Sequence, residues 1–170
     1  MAKQIQILNQ LSPVYSSTGA LVAAGGVSTI VSGTPTKAAD AVNAGPWTGA
    51  VVPMVDADGT TAQRFTGIAK STSTDTASVA GAVDLYIPYP GLVYSAKAKT
   101  ASTFDTQAEV TAAFGKGVFF DLTTTVWSVD VAATAAQANA LIIVGGDFQT
   151  QTVHFYYKPS GTFLGSSISA

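Results

Sequence analysis

Alternation of apolar and polar residues with a period of two constrains the fold of this chain more than any other feature of its sequence. In residues 92–99, LVYSAKAK, Leu92 and Tyr94 fall on one face of an extended strand, and Lys97 and Lys99 fall on the other. Successive side chains of a β-strand point to opposite faces, so this pattern predicts a strand with one buried and one solvated side.

Two further segments predict β-hairpins. Residues 117–131, GVFFDLTTTVWSVDV, have the pattern of two strands joined by a threonine turn. In residues 140–157, ALIIVGGDFQTQTVHFYY, the three residues Gly145, Gly146 and Asp147 lie between two β-rich runs. We expect a tight turn at these three residues, because glycine readily adopts positive φ. Other strand candidates lie near residues 20–31, 49–55, 63–70 and 79–87.

One segment predicts a helix. In residues 106–114, TQAEVTAAF, Thr106 and Glu109 have the spacing of a capping box, in which each side chain bonds the backbone N–H of the other residue. We therefore expect one short helix near residues 105–114 within an all-β fold, a sandwich or barrel of the β-tulip or jelly-roll kind. Residues 32–47 lack periodicity and predict a loop or extended excursion within a single β-rich domain, residues 13–170.

The first twelve residues differ from the rest of the chain. A thin alternating stripe of isoleucine and leucine ends at Pro13, and no turn signal folds this segment back on the body. We interpret residues 1–12 as an extended N-terminal arm that pairs with a partner protein. The contact candidates are Ile5, Ile7, Leu8 and Leu11.

Charged residues are scarce. Eight basic and ten acidic side chains make up 11% of the chain and give a net charge of −2, whereas about 25% is typical of soluble domains. Without a basic stripe, nucleic acid is not an expected partner. No signal peptide or membrane span is expected either, because the apolar run at residues 20–31 is shorter than the roughly 20 residues that cross a bilayer. Low charge with 47% hydrophobic residues indicates either an exterior covered by other subunits or simply a neutral domain.

No group of residues has the pattern of an active site. Asp56 and Asp58 match two ligand positions of an EF-hand loop, but Gly59 comes two positions early and Gly67 stands where a glutamate is needed. A β-turn is therefore the better interpretation. His154 is the single histidine, no G-x-S-x-G motif accompanies it, and the chain has no cysteine. We expect a protein that is not an enzyme and that holds no metal or cofactor.

Three tyrosines cluster in residues 86–94, YIPYPGLVY. Packing in the core and turns is one interpretation of Tyr86, Tyr89 and Tyr94. A subunit interface is the second, because tyrosine is enriched at protein contacts. In a third interpretation, aromatic residues including Trp47 form a sugar-stacking surface.

The order of these features resembles that of the capsid decoration, or cement, proteins of tailed bacteriophages. The resemblance covers about residues 60–150 and is carried by RFTGIAKSTSTDTASVAGAVDLYIPYPGLVYSAKA, TQAEVTAAFGKGVFFDL, VWSVDV and NALIIVGGD. It implies a non-enzymatic virion protein, made in the host cytoplasm, that binds the outside of the major capsid protein shell and stabilises it. Such proteins are often homotrimers. The arm would then add a strand to an exposed sheet edge of the shell.

Two other classes of function are compatible with the same sequence. A carbohydrate-binding or adhesin module would use the aromatic side chains as stacking surfaces, and glycan binding by the isolated protein would identify it. A tail-tube or baseplate subunit would share the composition, and rings or tubes of six subunits would identify that class.

Overall fold

The computed structural model describes residues 5–7, 16–21, 28–38, 50–55, 65–76, 81–86, 92–132 and 141–158. Within these ranges the chain forms thirteen strands, one 3-10 helix and one α-helix. The strands are β1 (Ile5–Ile7), β2 (Ser16–Leu21), β3 (Ser28–Ile30), β4 (Pro35–Ala38), β5 (Ala50–Pro53), β6 (Phe65–Ala69), β7 (Ser73–Asp75), β8 (Ala82–Tyr86), β9 (Tyr94–Lys97), β10 (Gly117–Thr123), β11 (Val126–Asp130), β12 (Leu141–Asp147) and β13 (Thr152–Tyr157). The 3-10 helix spans Ala101–Thr103, and α1 spans Gln107–Ala113. The prediction of an all-β fold with one short helix is confirmed.

Six strands form the larger sheet, which we call the main sheet. Its strand order is β1-β9-β13-β12-β10-β11, and each neighbouring pair is antiparallel. The alternation predicted for residues 92–99 is confirmed in β9, where Tyr94 and Ala96 are buried and Lys97 is exposed. Ser95 is also buried although it lies on the other face.

Aromatic side chains dominate the core of the main sheet. The Phe120 ring lies edge-on to Trp127 at 6.0 Å and to Phe155 at 5.7 Å between ring centroids. The Tyr94 ring stacks on Phe155 at 5.8 Å. Edge-to-face and offset aromatic pairs each contribute about 0.5–1.5 kcal/mol beyond the area that they bury. Ring geometry therefore adds to the stability that this core gains from apolar burial.

Five other strands close into a small barrel in the order β2-β5-β4-β6-β8. Its core contains Ile30, Val51, Ala69, Val83 and Leu85. The sequence predicts a loop or extended excursion at residues 32–47; residues 35–38 are extended and form β4, which pairs with both β5 and β6. Proline is tolerated as the first residue of a strand, and Pro35 has that place.

The barrel and the main sheet share apolar contacts. Met54, which follows β5, and Ile68 of β6 belong to the apolar cluster of the main sheet. Strands β3 and β7 form a separate two-stranded ribbon, in which the hydroxyls of Thr29 and Thr74 are 3.0 Å apart.

Both predicted hairpins form, but the turn of the second is not at the predicted residues. β10 and β11 form the first, with Thr123 opposite Val126 and the threonine turn between them. In the second, the expected turn at residues 145–147 is wrong, because both glycines lie inside β12 and the chain turns at residues 148–151. Gly146 is needed for a different reason: a Cβ there would overlap the Phe104 ring and the Thr152 carbonyl.

The predicted capping box starts α1. The Thr106 hydroxyl accepts from the Glu109 N–H at 3.3 Å, and a Glu109 carboxylate oxygen accepts from the Thr106 N–H at 3.1 Å. These bonds satisfy two donors that a helix start otherwise leaves free. The helix buries Val110 and Ala113 against the main sheet core.

Candidate assembly edge

β1 is the outermost strand of the main sheet, and its position corrects the expectation of an arm that stands free of the body. Ile5, Gln6 and Ile7 are the Cα partners of Ala96, Ser95 and Tyr94 of β9. Among the described residues, β1 pairs along this one edge only. The other arm candidates, Leu8 and Leu11, lie outside the described residues.

An unpaired strand edge has a direct chemical consequence. Backbone N–H and C=O groups along the outer side of β1 can accept or donate hydrogen bonds to another extended strand. Strand addition at such an edge takes its affinity from main-chain hydrogen bonds and needs no special side chains. Residues 5–7, IQI, carry no charged side chain, so they do not repel an incoming strand electrostatically.

β11 closes the main sheet next to β1. Ala98, just after β9, forms a parallel bridge with Val129 of β11, and the Lys99 N–H donates to the Val129 carbonyl at 2.8 Å. The Ala98 N–H instead donates to the Gln151 carbonyl at 2.9 Å, on the β13 side. Successive amides of an extended chain point to opposite sides, so β1 and β11 pair with the same edge of the segment that contains β9. β1 pairs with residues 94–96 of this segment, and β11 pairs with it from residue 98 onwards.

A cluster of three charged side chains, which we call the Lys99 clasp, spans this closure. The Lys99 ammonium lies 2.8 Å from Asp121 Oδ1 and 3.1 Å from Asp130 Oδ2. Hydrogen bonds to Asp121 and then to Asp130 raise the pKa of Lys99. Partial burial acts to raise the pKa of Asp121, but the hydrogen bonds from Lys99 and Thr123 outweigh it and hold that pKa below its usual value. The alternation in residues 92–99 predicted that Lys99 faces solvent, but nothing in the sequence indicated that the segment after β9 meets β11.

The three tyrosine candidates lie in different environments. Tyr94 is 1% exposed, so it packs in the core and offers no surface to a second subunit. Burial raises the pKa of Tyr94, and its hydroxyl has no hydrogen-bond partner in the part of the chain that the structure describes. Tyr86 is half-buried, with the Lys70 ammonium 5.9 Å from its ring centroid, and it stays an interface candidate. Tyr89 and Trp47 lie outside the described residues.

Among the described residues, four large apolar side chains are exposed. Phe114 is 65% exposed, Val55 54%, Val126 52% and Val31 41%. Val31 and Val55 lie at the same end of β4, because the Thr34 N–H donates to the Val31 carbonyl and the Met54 N–H donates to the Pro35 carbonyl. Nothing in the sequence marked these four side chains as exposed. Exposed apolar side chains that lie together are candidate contacts for a partner protein, and Val31 and Val55 are such a pair.

His154 lies on the face of β13 that it shares with Thr152 and Tyr156, opposite the buried Val153 and Phe155. Partial burial lowers its pKa, and the negative charge of Asp147 acts in the opposite direction. Asp56 and Asp58 lie outside the described residues. Within the described ranges, no three His, Cys, Asp or Glu side chains come together in a way that could hold a metal ion.

Comparison of the chain with protein-family models, with curated proteins and with solved structures finds no match. None of the helices in the described ranges is long and apolar enough to cross a membrane. The geometry at β1 therefore gives the most specific chemical information about function: a short strand that can form backbone hydrogen bonds to an additional strand.

Proposed function

We propose that this protein is a structural component of a virion, a decoration protein that binds the outer surface of the major capsid protein shell of a tailed bacteriophage and stabilises it. The role needs contacts rather than catalysis. In this proposal the chain acts as a homotrimer on the capsid exterior, and β1 with its neighbouring residues provides the attachment. The resemblance over residues 60–150 points to the same role.

The single observation that carries the proposal is the position of β1. Ile5–Ile7 form the last strand on one side of the main sheet, with one edge paired to β9 and none of the described strands on the other. A strand of the shell protein that pairs with this outer edge would extend the main sheet into the partner. The arm candidates Leu8 and Leu11 follow directly along the chain and would contact the same partner.

Weak charge and exposed apolar side chains support a role in assembly. The first 55 residues carry three charged side chains, Lys3, Lys37 and Asp40. Phe114 and Val126 are both more than half exposed. A contact made by one copy can be weak and still stabilise a shell, because many identical copies bind one connected surface.

The test is attachment of two variants that differ only in their ability to pair at the edge. The Ala98 N–H donates on the β13 side and the Lys99 N–H on the β11 side, so Ser95 and its Cα partner Gln6 turn their backbone groups toward each other, and those of Ile7 point to the outer edge. Ile7→Pro removes this outward N–H and fixes φ, so it prevents regular strand pairing at the outer edge. Ile7→Ala shortens the side chain and keeps the backbone donor. We expect Ile7→Pro to lose attachment to purified shells that carry the wild-type chain, and Ile7→Ala to retain it, as measured by sedimentation of the shells with bound protein.

Circular dichroism of both variants provides the control for folding. Equal attachment of folded Ile7→Pro and Ile7→Ala would contradict attachment through the outer edge of β1. Binding of the chain to glycan, or its assembly into rings of six, would contradict the decoration role itself.

A further inference from the structure

We propose that β1 exchanges between copies of this chain, so that residues 5–7 of one copy pair with residues 94–96 of another. The inference goes beyond the proposed function, because it concerns contacts between copies and holds for the purified protein without a shell. The strand that accepts the exchange is β9 of one copy, and the strand that pairs with it is β1 of a second copy.

β9 and the residues that follow it are held in the main sheet by contacts that do not involve β1. Ala98 bridges Val129, and the Lys99 N–H bonds the Val129 carbonyl. The Lys99 clasp ties β9 to Asp121 of β10 and Asp130 of β11. β9 is held on its other edge by four consecutive Cα pairs with β13. The acceptor edge at residues 94–96 is therefore kept in place by contacts that do not involve β1.

β1 is joined to the rest of the chain by residues 8–15, which lead to a different sheet. The next strand, β2, pairs with β5 and β8 in the barrel, whereas β1 pairs with β9 in the main sheet. An eight-residue connection spans at most about 26–29 Å when extended. Exchange therefore requires that β9 of an adjacent copy lie within that distance of the start of β2.

Exchange conserves the interactions that β1 makes. The same backbone hydrogen bonds form whether the β9 partner belongs to the same copy or to a neighbour. The two arrangements differ mainly in effective concentration, which is in the millimolar range for groups joined by a short linker. Copies held side by side in an assembly reach comparable local concentrations, so exchange adds a physical link between them at little cost.

Cysteine cross-linking tests the exchange directly, because the chain has no cysteine of its own. Gln6 and Ser95 are Cα partners, and antiparallel partners lie about 4.5–5.5 Å apart between Cα atoms, within the range of a disulfide. One chain carries Gln6→Cys and a second carries Ser95→Cys. After mixing and mild oxidation, we expect a disulfide-linked heterodimer, measured by mass spectrometry.

A matched pair of variants sets the background from random collision. Lys97 and Thr152 are Cα partners across β9 and β13, inside the sheet, and are not expected to exchange. The Gln6→Cys and Ser95→Cys mixture should yield at least five times more heterodimer than a Lys97→Cys and Thr152→Cys mixture. A yield no higher than this background would overturn the proposal.

A second measurement uses the wild-type chain and so does not depend on the folding of any variant. Copies labelled with ¹⁵N are mixed with unlabelled copies and treated with a lysine-reactive cross-linker. Lys3 is two residues from Ile5 along the chain, and Ile5 pairs with Ala96 next to Lys97. Exchange predicts that about half of the Lys3–Lys97 cross-links in an equal mixture join a labelled to an unlabelled peptide, as random pairing of copies requires. Cross-links confined to peptides of the same label would overturn the exchange.

Discussion

The barrel and the main sheet are built from strands of similar length but have very different cores. Among the described residues, the apolar cluster of the main sheet contains nineteen buried residues, and that of the barrel contains five. The main-sheet cluster includes Phe104, Phe120, Trp127 and Phe155, whereas the barrel cluster holds only aliphatic side chains. Apolar burial is the main stabilising contribution to folding, so among the described residues the larger apolar contribution to stability comes from the cluster of the main sheet.

The larger core accounts for the location of the candidate assembly edge in the main sheet. A strand can pair with a partner protein, or exchange between copies, only if the sheet that accepts it stays folded. β9 has the aromatic core beneath it through Tyr94 and Ala96. The barrel keeps instead a buried polar pair, Thr36 and Thr66, whose hydroxyl oxygens are 2.9 Å apart.

Truncation of one core side chain in each region gives the largest expected difference. Phe155→Ala in the main sheet should lower the free energy of unfolding by about 4 kcal/mol, and Leu85→Ala in the barrel by about 2–3 kcal/mol. Urea denaturation followed by circular dichroism measures both. Ile68 of the barrel strand β6 and Met54 next to β5 pack in the cluster of the main sheet, so we expect one cooperative transition. A larger loss of unfolding free energy for Leu85→Ala than for Phe155→Ala would contradict the larger stabilising contribution of the main-sheet core.

One glycine in each region has no space for a side chain. A Cβ on Gly146 would overlap the Phe104 ring, and a Cβ on Gly67 in the barrel would overlap the Tyr86 carbonyl. Each Gly→Ala change should cost about 2 kcal/mol, as overpacking does. Gly115 is the control: it has open space but positive φ, and its change to alanine should cost about 1 kcal/mol. Thermal unfolding measures all three, and a cost at Gly67 and Gly146 no greater than at Gly115 would contradict the close packing.

Buried hydroxyls should respond with opposite sign in the two regions. The Tyr94 hydroxyl in the main sheet has no partner among the described residues, so Tyr94→Phe should raise the free energy of unfolding by about 1 kcal/mol. Thr36 in the barrel donates to the Gly67 carbonyl at 2.9 Å, so Thr36→Val should lower it by about 1–2 kcal/mol. Chemical denaturation of the two variants checks this, and a loss of stability for Tyr94→Phe would show that its hydroxyl has a partner.

In the Lys99 clasp, Lys99 is exposed and the two carboxylates are partly buried, so loss of this ion pair should have the smallest effect, and that effect should depend on pH. The pKa of Asp121 is below its usual value in the folded chain, so this carboxylate stabilises the fold at pH values above about 3.8 and the contribution is lost as pH falls through the lowered pKa. Lys99→Met should therefore be slightly less stable than wild type at pH 7, and the difference should shrink towards zero in strong acid.

Lys97→Met is the matched control for the clasp. Lys97 donates to the Thr150 carbonyl and to the Thr152 hydroxyl, neither of which titrates. Melting temperatures measured from pH 2 to pH 7 compare the two variants. A difference for Lys99→Met that stays constant over this range would contradict the role of the carboxylates.

Features with local causes were predictable from the sequence. Thr106 and Glu109 are close enough along the chain for their spacing to define the helix start. The alternation of Leu92, Tyr94 and Lys97 fixed which side of β9 is buried, because the period of a strand is a local property.

Features with causes far away along the chain were not predictable. Gly146 looked like a turn residue, but its lack of a side chain serves the distant Phe104 ring. The prolines around β4 concealed a strand whose pairing with β5 and β6 makes up for its weak propensity. Nothing in residues 5–7 indicates that their partner is β9. Strand pairing depends on the whole fold, and the sequence of one strand does not name its neighbour.

Electron cryo-microscopy of a particle that carries this chain tests the account most directly. The account predicts copies of the chain on the outer surface of the shell, with the outer edge of β1 about 4.8 Å from a strand of the shell protein, the spacing of paired strands. Copies seated with β1 turned away from the shell, or particles with this chain inside the capsid or in the tail, would contradict it.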